Sequence, residues 1–212
     1  MIHCIGNSHV SMFSNQEKLT LNFRNEYFSA CHLGPIIAYN FTDKHLPRTL
    51  DYFRNNVDKE NDIICFVVGE VDCRLHIPLQ SDNQKRNDLD VVKECVGRFF
   101  ESYKILKRQG FKCFSLCTHP TTSQDHDMSN LDSPVYGSPQ RRNDICVMWN
   151  EELERLSNEL GIPYKTIYNK LVNPDNTTIM DYFLDYCHLD SKKVYGFILD
   201  ELGDIINDSN LT

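Results

Sequence analysis

The chain has 212 residues, 41% of them hydrophobic and 25% charged, a composition that fits a folded protein long enough to bury a sizeable core. Its 22 Lys and Arg stand against 30 Asp and Glu, and the resulting formal charge of −8 argues against general nucleic-acid binding, which needs a basic stripe. No stretch approaches the roughly 20 apolar residues of a membrane span, and mean hydropathy is −0.45.

The chain opens Met1-Ile2-His3-Cys4-Ile5-Gly6, and residues 2–5 read as a short strand. With no basic region and no long apolar run there, no secretion signal is expected and a cytoplasmic location is. The nine cysteines are an odd number without a C-x-x-C, so reduced thiols are expected. Cys113 and Cys117 fall in an apolar stretch and read as small buried hydrophobes rather than metal ligands. Residues 36–41 form a second candidate strand, and 46–57 a candidate helix. Residues 63–68, Ile-Ile-Cys-Phe-Val-Val, are apolar on both faces, as a central parallel strand should be. Val92, Cys95, Val96, Phe99, Tyr103 and Leu106 recur at helical spacing. Residues 111–117 and 164–167 are the fourth and fifth candidate strands. Between them, residues 119–141 hold His119-Pro120, Pro134, Gly137 and Pro139 and read as a long loop ending in a helix cap at Asn143. Ile145, Trp149, Leu153, Leu156 and Leu160 mark the next helix, stopped by Gly161 and Pro163. Val194, Phe197, Ile198, Leu202 and Ile205 mark the last, capped by Asp190 or Ser191. Strands alternating with helices predict a parallel sheet of about five strands in one domain over residues 1–212.

In such folds ligands bind at the carboxyl ends of the strands. Gly6-Asn7-Ser8-His9 follows the first strand, Gly69-Glu70-Val71-Asp72-Cys73-Arg74 follows the third, and Asp185-Tyr186-Cys187-His188 precedes the last helix. Ser8 in a strand-to-helix turn is either an ordinary cap or a nucleophile awaiting a base. His188 is the candidate base. Asp185, three residues earlier, is placed to hold the imidazole's other nitrogen.

Taken together, Gly6-Asn7-Ser8, Gly34, Gly69-Glu70-Val71-Asp72 and Asp185-x-x-His188 resemble, in order and spacing, the sequence blocks of the SGNH hydrolases, the GDSL esterase and lipase superfamily. The resemblance spans nearly the whole chain. It implies a flavodoxin-like three-layer α/β/α sandwich that hydrolyses an ester through an acyl-enzyme. Ser8 is then the nucleophile, His188 the base and Asp185 its orienting carboxylate. The oxyanion hole comprises the backbone N–H groups of Ser8 and Gly34 and a side chain from the third block. That block's asparagine falls on Val71, which has no donor; Arg74 is the nearest cation to replace it, unless it pairs with Glu70 or Asp72. Asn7, Gly69, Glu70, Asp72, His119 and Arg142 are expected substrate contacts, with Tyr136, Arg141 and Asn143 as further loop candidates. The resemblance implies no metal and no organic cofactor. The expected substrate is a small-molecule or glycan ester, with no nucleic-acid or membrane partner. An O-acyltransferase with the same three residues, and a non-catalytic glycan-binding protein on the same fold, are the alternatives. A flavin or nucleotide binder using residues 6–9 as a phosphate loop is disfavoured, because neither G-x-x-x-x-G-K-S/T nor G-x-G-x-x-G occurs.

Overall fold

A computed structural model describes residues 1–129 and 133–208. The centre is a six-stranded sheet in the order β2-β3-β1-β4-β5-β6. Its strands are β1 (Ile2–Gly6), β2 (Phe23–Arg24), β3 (Phe28–His32), β4 (Ile63–Val67), β5 (Lys112–Leu116) and β6 (Tyr164–Lys165). β2 runs antiparallel to β3; all other pairings are parallel. The parallel strands therefore follow the flavodoxin-like order, with the reversal of strand order falling between β1 and β4. β1 is buried along its whole length and β4 nearly so, which fits the apolar run of β4, while His3 within β1 is accommodated by its hydrogen bond to Asp62. At the carboxyl end Gly6 pairs with Val67 so closely that a Cβ at Gly6 would lie 2.0 Å from the Val67 carbonyl oxygen.

The helices are α1 (Phe41–Lys44), α2 (Leu46–Asn56), α3 (Ile77–Gln84), α4 (Asp88–Arg108), α5 (Pro139–Leu160), α6 (Ser191–Glu201) and α7 (Gly203–Asp208). α4 has the clearest local code. The Asn87 side chain accepts from the Asp90 N–H, Asp88 and Asp90 sit in its first turn, and Lys107 and Arg108 sit in its last. Its apolar stripe of Val92, Cys95, Val96, Phe99, Tyr103 and Leu106 is fully buried.

Three sequence expectations are corrected. The second parallel strand is Phe28–His32, not residues 36–41. The latter segment is apolar because Ile36, Ala38 and Phe41 plug the core, but the Ala38 N–H donates to the Asp72 carboxylate rather than to a neighbouring strand. The cap of α5 is Ser138, followed by Pro139 in the first turn, so Asn143 lies inside the helix. The last helix divides in two at Leu202, with Asp190 as the cap of the first part. One stretch was not foreseen: a π-helical turn at Asp72–His76 leads directly into α3, with Pro78 in its first turn, where proline is tolerated. All nine cysteines are free thiols. Among the described residues no helix is long and apolar enough to cross a membrane.

Candidate active site

β1 ends at Gly6, and Asn7 caps a 3-10 turn, Ser8–Phe13, by accepting the His9 N–H at 3.1 Å. Ser8 thus opens the turn at the carboxyl edge of the central strand. Opposite it, a tight loop between Phe183 and Leu189, which pair as an isolated bridge, presents Asp185 and His188. The Ser8 Oγ lies 2.8 Å from His188 Nε2, and His188 Nδ1 lies 2.8 Å from Asp185 Oδ2. Asp185 Oδ1 also accepts the Cys187 and His188 N–H groups, each at 2.8 Å. Burial works against ionisation of Asp185, but these hydrogen bonds outweigh it and hold its carboxyl below the usual range. Burial, and then the nearby His9, push His188 down against the pull of Asp185. The ring therefore tends to be neutral, with Nδ1–H toward the carboxylate and a lone pair toward the serine.

The β3 end contributes the second wall. The Leu33 N–H donates to the Gly6 carbonyl at 2.8 Å, which ties the Gly34 loop to the chain just before Ser8. Asp72 Oδ2 accepts the Ala38 N–H at 2.8 Å and pins the far side of that loop. Among the described residues, neither the Ser8 nor the Gly34 backbone N–H is spent on a protein acceptor.

Ser8, Gly34, Asp185 and His188 all reach the surface. The six expected substrate contacts lie deeper: Asn7, Gly69, Glu70, Asp72, His119 and Arg142 are all buried. Gly69 has a φ of +123°, and a Cβ there would lie 2.9 Å from the Trp149 ring. The Arg142 guanidinium donates to the Thr121 hydroxyl and to the Thr122, Gln124 and Gly137 carbonyls, lacing the loop that follows β5 to α5. Burial lowers its pKa to about 10. Asn143 joins the same loop by accepting the Thr121 N–H and donating to Thr178 and the Asn176 carbonyl. Arg141 bridges Asp82 and Asp88, and the Tyr136 N–H donates to the Arg74 carbonyl. Residues 130–132 of the loop lie outside the described residues.

Arg74 adopts the ion-pair alternative. Its Nε donates to Glu70 Oε1 at 2.7 Å and a second nitrogen donates to the Pro134 carbonyl at 2.6 Å. His9, which beside Ser8 reads from sequence as a surface or packing residue rather than a base, is the centre of a buried chain. Its Nε2 lies 2.9 Å from Glu70 Oε2, and its Nδ1 lies 3.0 Å from His119 Nε2. The only sequence signal was its place beside Ser8. Behind it, a cavity of about 10 Å³, the size of one water, is lined by Asn7, His9, Glu70 and His119, and the buried Asn7 Nδ2 finds no protein partner among the described residues. Away from this centre, Asp72, His76 and Cys95 bring three ligand-type atoms together, with His76 Nδ1 3.3 Å from Asp72 Oδ1 and 3.9 Å from Cys95 Sγ.

By sequence the chain matches no protein-family model and no curated protein. By structure it is similar to a candidate acylhydrolase from Bacteroides fragilis NCTC 9343, with a TM-score of 0.63 and 15% identity over 100% of this chain and 88% of that one. A GDSL-like lipase from Bacteroides thetaiotaomicron VPI-5482 gives 0.62 and 13% over 98% and 88%. An acetyl xylan esterase gives 0.53 and 14% over 97% and 100%. The chain therefore shares the flavodoxin-like fold of these proteins.

Proposed function

We propose that this chain, which shares the fold of GDSL-type hydrolases, is a serine ester hydrolase in which Ser8 attacks the acyl carbonyl. The observation that carries this reading is the continuous line Ser8 Oγ–His188 Nε2–Asp185 Oδ2, with both links at 2.8 Å. His188 takes the hydroxyl proton as Ser8 Oγ bonds to the carbonyl carbon, and returns a proton to the leaving alcohol oxygen. Asp185 holds the ring in the required tautomer. The Ser8 and Gly34 N–H groups, free of protein acceptors among the described residues, face the developing oxyanion. Water then releases the acyl group with His188 again as base.

The third oxyanion donor of related blocks is absent at Val71, and Arg74 is held by Glu70 and Pro134. Losing one such donor costs about 100- to 1000-fold in turnover, so modest activity on simple esters is expected. A small polar substrate such as an O-acylated sugar is favoured, since one structural neighbour is an acetyl xylan esterase. The test is fluorophosphonate labelling, read by intact mass and peptide mapping, of the parent, Ser8→Ala and His188→Ala. A single adduct on Ser8, lost in both variants, is the expected result. No adduct on a folded parent would overturn the hydrolase reading in favour of glycan binding without catalysis.

A further inference from the structure

In the turn that follows β4, three side chains of different chemistry meet. Asp72 and His76 stand four apart on the π-helical turn and share one face of it. Cys95, buried on α4, approaches the same point. The Asp72 side chain is fully buried, and its two oxygens are used unequally. Oδ2 accepts the Ala38 N–H at 2.8 Å, whereas Oδ1 finds no hydrogen-bond partner among the described residues. His76 Nδ1 lies 3.3 Å from Oδ1, close but outside hydrogen-bond geometry, and 3.9 Å from Cys95 Sγ. The three atoms all fall within 4.8 Å of one another. A buried carboxylate oxygen left without a donor calls for a positive partner.

We propose that Asp72 Oδ1, His76 Nδ1 and Cys95 Sγ bind one divalent transition-metal ion of the zinc type, with a water as the fourth ligand. The site shares no residue with the Ser8, His188 and Asp185 line, and it stands whether or not the hydrolase reading does.

Bonds of about 2.0–2.1 Å to nitrogen and oxygen and about 2.3 Å to sulfur set tetrahedral N and O ligands about 3.3 Å apart, and N and S about 3.5 Å apart. The Asp72–His76 separation already has that value, and the Cys95 thiol has to close on His76 by only a few tenths of an ångström. The donor set selects the ion. Calcium and magnesium take oxygen ligands, whereas a thiolate, an imidazole and a carboxylate together suit zinc. As the Sγ–metal bond forms, the thiol proton passes to water. The Asp72 carboxylate and the Cys95 thiolate then balance the two positive charges of the ion. The Ala38 N–H holds the carboxylate by its other oxygen, as an orienting partner of a metal ligand should. The His76 side chain keeps 16% exposure, which leaves the fourth position a path to solvent. A bound ion joins α4 to the turn after β4 and, through Ala38, to the segment that follows Gly34.

The experiment titrates the chelator-treated full chain with Co2+ and then displaces it with Zn2+. One cobalt per chain with a thiolate-to-cobalt charge-transfer band is expected, and zinc should bleach the band. Cys95→Ser should abolish it. His76→Gln, at a side chain that is partly exposed, should weaken zinc binding by about tenfold or more. Cys187→Ser should leave the band intact. Asp185, Cys187 and His188 also bring ligand-type atoms together, but both Asp185 oxygens there already accept hydrogen bonds. X-ray absorption at the zinc edge of the unaltered protein needs no variant and should show one sulfur bonded to the metal. No band on the folded parent, a band that survives Cys95→Ser, or zinc without a sulfur ligand would each overturn the proposal. Serine labelling plays no part in these readouts, so this inference and the hydrolase reading fail separately.

Discussion

Asp185 grips His188 at two points, through the backbone N–H with one carboxylate oxygen and through ring Nδ1 with the other, both at 2.8 Å. One side chain therefore sets both the shape of the loop and the tautomer of the ring. Asp185→Asn separates the two roles. The amide oxygen can still accept the backbone N–H groups, so the fold should hold. The ring loses its fixed tautomer, and kcat should fall by about 1000-fold or more. Steady-state kinetics on the best ester found by screening, with circular dichroism as the folding control, check this. A drop below tenfold would refute the orienting role.

Gly69 should tolerate no side chain. A methyl group there meets the Trp149 ring at 2.9 Å, and the φ of +123° is itself strained for alanine. Gly69→Ala should destabilise by about 2 kcal/mol or more, lowering Tm by roughly 4–8 °C in a chain of this length. Calorimetry decides, and an unchanged Tm would show that the Trp149 helix yields freely.

Arg142 should govern the order of the loop after β5. Arg142→Met keeps the length but strips the Thr122, Gln124 and Gly137 carbonyls of their donor. A cost of about 3 kcal/mol is expected from unpaired buried acceptors. Limited proteolysis should find a new cut between Thr121 and Ser138, and denaturant unfolding should give the energy. Unchanged proteolysis would mean that the Asn143 links suffice.

Stability should fall in acid. His119 is lowered to about 3 from 6.5, so the unfolded chain binds the extra proton first as pH drops through that interval. Its contribution is fully present above about pH 6.5 and is lost progressively toward about 3. Glu70, also lowered, adds stability above its usual value of 4.5 that is lost as pH falls below it. Urea unfolding at a series of pH values from 7 to 4 should show a steady decline. A flat profile would contradict both assignments.

The sequence made β1, β4, β5, α4 and the Ser8, Asp185 and His188 set legible because each carries a local signal: short, mostly apolar runs, a 3.6-residue stripe, a short spacing. The second strand was misread because burial, not strand pairing, explains the apolar Ile36 and Ala38. The inward turn of Glu70, Asp72, His119 and Arg142 was invisible for a related reason. Their partners are Arg74 and His9, Ala38, Pro120, and Thr122, and three of the five pairings join residues 20 or more positions apart. Polar residue type says only that a partner is needed. It does not say whether protein or ligand supplies it.

The Ser8–His188 hydrogen bond joins residues 180 positions apart. β1, which leads into Ser8, precedes β3 and β4 in the chain, yet its place between them is complete only once both have formed. The Ser8–His188 contact therefore forms only after two segments far apart in the chain have been brought together, a closure of high sequence separation. In a refolding experiment, recovery of serine labelling would then report on chains in which these two distant segments have met, separately from the return of helical signal.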